Sequence, residues 1–264
     1  MNRRLFLKGA TLQTFTILPF SHVMRSFYLI RSYNYVRKGD MDYIQDLLDT
    51  KKPVTWLFTG DSIAQGAKHT NGMRSFSEIF GERVRWEMSR GYDTIINTAI
   101  SGNTTENLLS EFELRVAKYK PDIVFLMIGT NDAAIMKDIS IDKFGENVGL
   151  FIAHVRSLKG IPVLLTPNKI DLEKSQERSR IEEYVTKMRQ VAYAKNTVLV
   201  DIWKLWENEL YEKYNGNVNE MLMSDILHPD GHGHKEIAMA LFRSLSIFDP
   251  LSPSCKDECL LNNF

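Results

Sequence analysis

Apolar and β-branched residues run from Val54 to Phe58 and stop at Thr59-Gly60-Asp61-Ser62. A run of this length after Pro53 predicts a buried strand that delivers one hydroxyl to the mouth of a sheet. The same change of pattern recurs along the chain. Residues 40–52 predict a short helix stopped before Pro53. Phe76, Ile79, Phe80, Val84, Trp86 and Met88 recur at helical spacing over about 75–90, with Gly91 as the expected C-cap. Thr94 to Thr98 reads as a second strand. Thr104 reads as the N-cap of a helix carrying Leu108, Leu109, Phe112, Leu114 and Val116. Pro121 opens the most apolar strand, Ile123 to Ile128, as expected of a central parallel strand covered on both faces. It ends in Gly129-Thr130-Asn131-Asp132. Then come a helix at about 141–159, a strand from Pro162 to Thr166, and a polar insert from Pro167 to Gln176. A helix at about 177–194, a strand from Val198 to Asp201, a helix with Trp203 and Trp206, and a last helix at about 233–247 complete the pattern.

Five alternations of strand and helix predict an α/β fold with right-handed crossovers. The expected form is a flavodoxin-like, doubly wound, five-stranded parallel sheet of order 2-1-3-4-5 with helices on both faces, an α/β/α sandwich. No repeat, low-complexity tract or linker interrupts residues 53–248. The 264 residues suit one domain of ordinary to large size with a substantial core. Lys+Arg and Asp+Glu are both 33, which argues against a nucleic-acid partner. No uninterrupted apolar run reaches the ~18 residues of a membrane span.

The ends add a plan of three parts: 1–38, 39–250 and 251–264. Asn2-Arg3-Arg4-Leu5-Phe6-Leu7-Lys8 and the weakly apolar stretch to Phe20 resemble a twin-arginine export signal. That implies an extracytoplasmic location, although no small-x-small cleavage site follows cleanly. The alternative is a cytoplasmic protein with a disordered basic start or an amphipathic N-terminal helix lying on the fold. Residues 22–38 mix Phe27, Tyr28, Leu29 and Ile30 with Arg25, Arg31 and Arg37, as in a basic arm making peripheral membrane contact. Cys255 and Cys259 read as a tail staple or two idle thiols, since Cys-x3-Cys alone is half a metal site.

Three strands end in polar groups: Ser62 after the first, Gly102 after the second and Asn131 after the third. In open parallel sheets, ligands sit outside the carboxyl ends of strands where the strand order reverses. The order 2-1-3-4-5 brings these three residues to that point. They supply a hydroxyl nucleophile, a backbone N–H that an anion can approach closely, and a neutral amide donor. Asp225-Ile226-Leu227-His228 supplies a base, because a carboxylate three residues before a histidine can accept its Nδ1 proton and leave Nε2 facing the serine.

These islands resemble the SGNH/GDSL hydrolase superfamily. Its first block is Gly60-Asp61-Ser62 with Ile63 in the usual Leu position. Its second-block glycine is Gly102, its third block is Gly129-Thr130-Asn131-Asp132, and its last is Asp225-x-x-His228. The resemblance spans about residues 54 to 246. It implies ester hydrolysis through an acyl-serine, with Ser62, Asp225 and His228 catalytic and with Ser62, Gly102 and Asn131 forming the oxyanion hole. It implies no metal and no cofactor. The expected partner is a small-molecule or glycan ester, with an O-acetylesterase as the leading reading. A lysophospholipase or thioesterase, and an idle glycan-binding domain, are the alternatives.

Other features read more plainly. Gly60 to Lys68 has the wrong spacing for a phosphate loop. His228, His232 and His234 with Asp230 suggest a metal cluster, but the later histidines are expected on an exposed first helical turn. Asp61 and Asp132 are expected to shape turns, Trp203 and Trp206 to pack a helix, and His154 to fill core or surface. Lys68, His69, Asn71 and Arg74 read equally as a substrate entrance or as a solvated loop.

Overall fold

The computed structural model describes residues 39–256. The export-signal reading, the basic arm and Cys259 lie outside the described residues. Five strands, β1 (Thr55–Gly60), β2 (Thr94–Asn97), β3 (Ile123–Met127), β4 (Ile161–Leu165) and β5 (Val198–Val200), form one parallel sheet in the order β2-β1-β3-β4-β5. This is the expected order. β3 is buried along its whole length, between β1 and β4.

The helices, in chain order, are α1 (Asp40–Asp49), α2 (Ser62–Gln65), α3 (Phe76–Gly81), α4 (Thr105–Ser110), α5 (Phe112–Arg115), α6 (Ile141–Ser157), α7 (Ile181–Lys195), α8 (Ile202–Glu207), α9 (Glu209–Lys213), α10 (Val218–Leu222) and α11 (Gly231–Ser244). Alternate strand residues face opposite sides. Trp56, Phe58, Ile123, Phe125 and Met127 pack with α1, α3, α10 and α11. Leu57, Val124, Leu126 and Ile128 pack with α4, α6 and α7. On the first face Phe125 stacks on Phe58, centroids 4.5 Å apart, and meets the edge of Phe80 at 5.3 Å. Trp203 and Trp206 are both buried, in the two different cores.

Two local expectations change. The helix expected over 75–90 is α-helical only to Gly81 and continues as a π-helix from Glu82 to Glu87. The wider turn leaves Trp86 80% exposed. It turns Arg83 and Glu87 inward instead. The Arg83 guanidinium donates to the Ile247 carbonyl and to Ser252 Oγ, and the Glu87 carboxylate accepts the Ser254 N–H at 2.7 Å. The segment read as a tail thus folds against this helix as far as the buried Cys255. Ser89, at φ 57°, takes the left-handed position expected of Gly91.

Phe125→Ala removes the ring shared by Trp56, Phe58 and Phe80. It should cost about 3–5 kcal/mol in urea unfolding. A midpoint equal to that of the native chain would show that this aromatic cluster does not hold the sheet together.

Candidate active site

The site begins where β1 ends. Gly60 has φ +145°, and a Cβ there would lie 1.9 Å from the Met127 carbonyl oxygen of the neighbouring strand. Only glycine allows this close passage. The chain then turns sharply, and Asp61 caps α2 by accepting the Ile63 N–H at 3.0 Å. Ser62 is therefore the first residue of a helix, held clear of the sheet by the capped turn.

The other strands are aligned to this point. Beyond β2 the chain still follows β1, with the Ile100 N–H donating to the Gly60 carbonyl at 3.1 Å. Gly102, at φ +83°, lies two residues further on. β3 leaves the sheet beside Gly60 at Met127 and reaches Asn131 four residues later. The Asn131 amide donates one N–H to the Asn103 carbonyl at 3.0 Å, tying the two loops together. A primary amide has a second N–H, which stays available to a ligand.

The last loop approaches from 166 residues away in sequence. Ser62 Oγ and His228 Nε2 are 2.9 Å apart. His228 Nδ1 is 2.9 Å from both carboxylate oxygens of Asp225. Asp225 Oδ1 also accepts the N–H groups of Leu227 and His228, each at 2.8 Å. Partial burial pushes the Asp225 carboxyl up. The backbone donors and the imidazole outweigh it and hold the group below the usual carboxylate range. The polar insert after β4 anchors the loop: Asn168 donates to the Leu227 carbonyl at 3.1 Å, and the Asp171 N–H to the Ile226 carbonyl at 3.0 Å. Asp230 then caps α11 through the N–H groups of His232 and Gly233.

The structure thus brings Ser62, His228 and Asp225 into one hydrogen-bonded line, with Gly102 and Asn131 on the two loops flanking Ser62. An unprotonated Nε2 at 2.9 Å can take the serine proton, and the carboxylate can stabilise the imidazolium that results.

The sequence offered His69 as a substrate entrance or a solvated loop, and not as a partner of His228 and Asp225. Its ring stacks on His228, with centroids 3.6 Å apart and planes 4° from parallel, and its Nδ1 lies 3.2 Å from Asp225 Oδ2. The spacing of residues carries no signal for this, since the partner lies at the far end of the chain. Among the described residues, His69, Asp225 and His228 are also the set whose donor atoms could hold a metal, all within 4.8 Å of one another. The His228–His232–His234 cluster is not formed. His234 is buried rather than on an exposed turn. Its Nδ1 accepts the Phe76 N–H, and desolvation lowers its pKa to about 4, so it is neutral.

Behind the site lie two buried carboxyls. Burial pushes Asp61 up to about 7, helped by the nearby Asp132 charge and opposed by the Ile63 N–H. Burial pushes Asp132 up to about 6, although Thr105 N–H and Oγ1 donate to it at 2.9 and 2.5 Å. Both residues shape turns, Asp61 as the cap of α2 and Asp132 as the tie from β3 to α4.

The model of the GDSL-like lipase/acylhydrolase family matches residues 58–236. An acetylxylan esterase of Geobacillus stearothermophilus is 29% identical over 207 residues, 72% of this chain and 92% of that one. The solved lipase/acylhydrolase from Enterococcus faecalis is 27% identical with a TM-score of 0.60, covering 73% of this chain and 95% of that one. A catalytic mutant of an acetylxylan esterase from Geobacillus stearothermophilus has the same fold, with a TM-score of 0.64 at 23% identity over 77% of this chain and all of that one.

A carboxyl raised by folding adds stability that is complete below its unfolded pKa and is lost as pH rises through its folded pKa. For Asp61 that window runs from its ordinary value of 3.8 to about 7. His234 works in the opposite direction over part of the same range, so the native curve alone does not isolate Asp61. Asp61→Asn keeps the capping oxygen and removes the titration. The difference in unfolding free energy between the variant and the native protein should shift in favour of the variant by a few kcal/mol (~3–4) from pH 4 to pH 8. A difference independent of pH would refute the buried titration.

Proposed function

The chain belongs to the GDSL-like lipase/acylhydrolase family and is a carboxylic ester hydrolase, and on that premise we propose that it is a serine-dependent O-acetylesterase acting on carbohydrate or other small acyl esters. The observation that carries the reading is the continuous line from Ser62 Oγ through the His228 imidazole to Asp225. Ser62 Oγ attacks the ester carbonyl while His228 Nε2 takes its proton. The tetrahedral oxyanion is held by the N–H groups of Ser62 and Gly102 and by the second N–H of the Asn131 amide. His228 returns the proton to the leaving alcohol, and an acyl-serine remains. Water, activated by the same imidazole, then attacks the acyl-serine, releasing the acid and restoring Ser62. Asp225 stays ionised throughout and stabilises the imidazolium.

The acetyl preference is supported by the likeness to an acetylxylan esterase over most of both chains. The paired arginines Arg3 and Arg4 support an extracytoplasmic location. One observation favours the long-chain alternative: Ile135 and Met136, four and five residues after Asn131, are 71% and 83% exposed apolar side chains that an acyl chain longer than acetyl would cover.

Ser62→Ala should abolish p-nitrophenyl acetate turnover and covalent labelling by a fluorophosphonate, with an unchanged melting temperature. Turnover by that variant at the native rate would sink the assignment. Asn131→Ala should lower kcat about 10²-fold, the loss of one oxyanion donor worth about 3 kcal/mol. In a series of p-nitrophenyl esters, kcat/KM should be highest for acetyl. A maximum at long acyl chains would replace the acetylesterase reading with the lysophospholipase or thioesterase one.

A further inference from the structure

The loop after α2 is built to deliver one side chain. Gly66 ends the helix at φ +67°, and Lys68 and Asn71 also take left-handed backbone, at φ 69° and 53°. That conformation is uncommon for residues with a Cβ. The His69 N–H bonds back to the Ala67 carbonyl at 2.8 Å, and the Met73 N–H to the Thr70 carbonyl at 2.9 Å. The outcome is an imidazole lying flat on the His228 ring at 3.6 Å, its side chain 18% exposed.

Asp225 needs such support. Its side chain is 40% exposed, and it stands on an irregular loop. The backbone N–H groups of Leu227 and His228 fix Oδ1 alone. Oδ2 meets Nδ1 of His228 at 2.9 Å and Nδ1 of His69 at 3.2 Å. His69 Nδ1 packs against that second oxygen, where it opposes rotation of the carboxylate toward solvent. The flat stack, in turn, restricts tilting of the His228 ring. A neutral His69 suits this task, because a charged ring would oppose the imidazolium that forms on His228. Desolvation first, and the His228 charge next, hold its imidazole below its ordinary range, against the pull of Asp225.

We propose that His69 is a positioning residue for ester hydrolysis, whose Nδ1 edge packs against Asp225 Oδ2 and whose ring face holds His228 in the orientation that aims Nε2 at Ser62. The proposal rests on the roles assigned above to Ser62, His228 and Asp225. His69 acts through two other side chains, so its loss should fall on kcat and leave KM unchanged.

The test compares three variants of the full chain on p-nitrophenyl acetate. His69→Ala removes both contacts and should lower kcat on the order of 10- to 100-fold, the range expected when a catalytic group is misplaced. His69→Asn keeps a nitrogen at the position of Nδ1, against Asp225, and His69→Phe keeps the stacked ring without that nitrogen. Each should recover part of the loss. The proton NMR signal of His228 Nδ1–H, shared with Asp225, should shift or broaden in His69→Ala and return toward its native position in His69→Asn. A native kcat in His69→Ala would overturn the proposal. So would a loss confined to KM, which marks a substrate contact, or Asn and Phe variants no better than Ala, or an unmoved Nδ1–H signal. If His69→Ala does not fold, the Asn and Phe variants and their proton signals decide the matter. Ser62→Ala and Asp225→Asn run in the same assay separate the two levels. Retained turnover in those variants overturns the underlying assignment, while their loss beside a fully active His69→Ala overturns only the role of His69.

Discussion

The close passage of Gly60 against the Met127 carbonyl is the constraint on which the site depends. β1 and β3 run side by side in fixed register, Gly60 opposite Met127, with their apolar faces buried in two separate cores. At the last rung a Cβ would occupy the space of the neighbouring backbone oxygen. Because glycine stands there, the chain can leave the sheet at φ +145°, turn through Asp61 and start a helix at Ser62. The aromatic cluster of Trp56, Phe58, Phe80 and Phe125 fixes the strands below this point. Small changes in the register of β1 against β3 would therefore move the Ser62 hydroxyl relative to both flanking loops.

The carboxyls around the site divide by environment. Asp225 sits at the surface with backbone donors on one oxygen and the His228 imidazole against both, and it is held ionised. Asp61 and Asp132 lie under the ends of β1 and β3 with little solvent, and burial raises both toward neutral pH. Among the described residues, Asp61 Oδ2, Asp132 Oδ2 and the hydroxyls of Thr59 and Thr130 make no hydrogen bond. The low-dielectric floor thus holds carboxyls that favour a retained proton, while the negative charge needed for proton transfer is confined to the exposed side of His228. Pairs of carboxyls with opposite shifts often mark different roles in one site.

Much of the fold was legible because its signals are local. A parallel strand covered on both faces must be apolar throughout, and Ile123 to Met127 is. A helix start needs an oxygen acceptor, and Thr104 and Asp230 supply one. The π-turn at Glu82–Glu87 was not legible, since Trp86 continues the apolar spacing while the folded chain turns Arg83 and Glu87 inward to the C-terminal segment. His234 was misread for a related reason: beside Asp230 and His232 it resembles an exposed turn, but the Phe76 N–H that buries it comes from α3.

The sequence by itself determined the alternation of strands and helices and which residues stand at the strands' carboxyl ends, because the periodicity of burial and the chirality of crossovers act over short stretches. It also placed Asp225 and His228 within one turn of each other, since three residues suffice for that contact. Only the tertiary structure decided that His69 lies on His228. That contact joins a loop with two left-handed residues to a loop held by Asn168 and Asp171, and neither loop carries the other's position in its own pattern. The reason is physical: a stack between distant loops is set by how two cores fit the same sheet, and that fit is a property of the whole packing rather than of any segment.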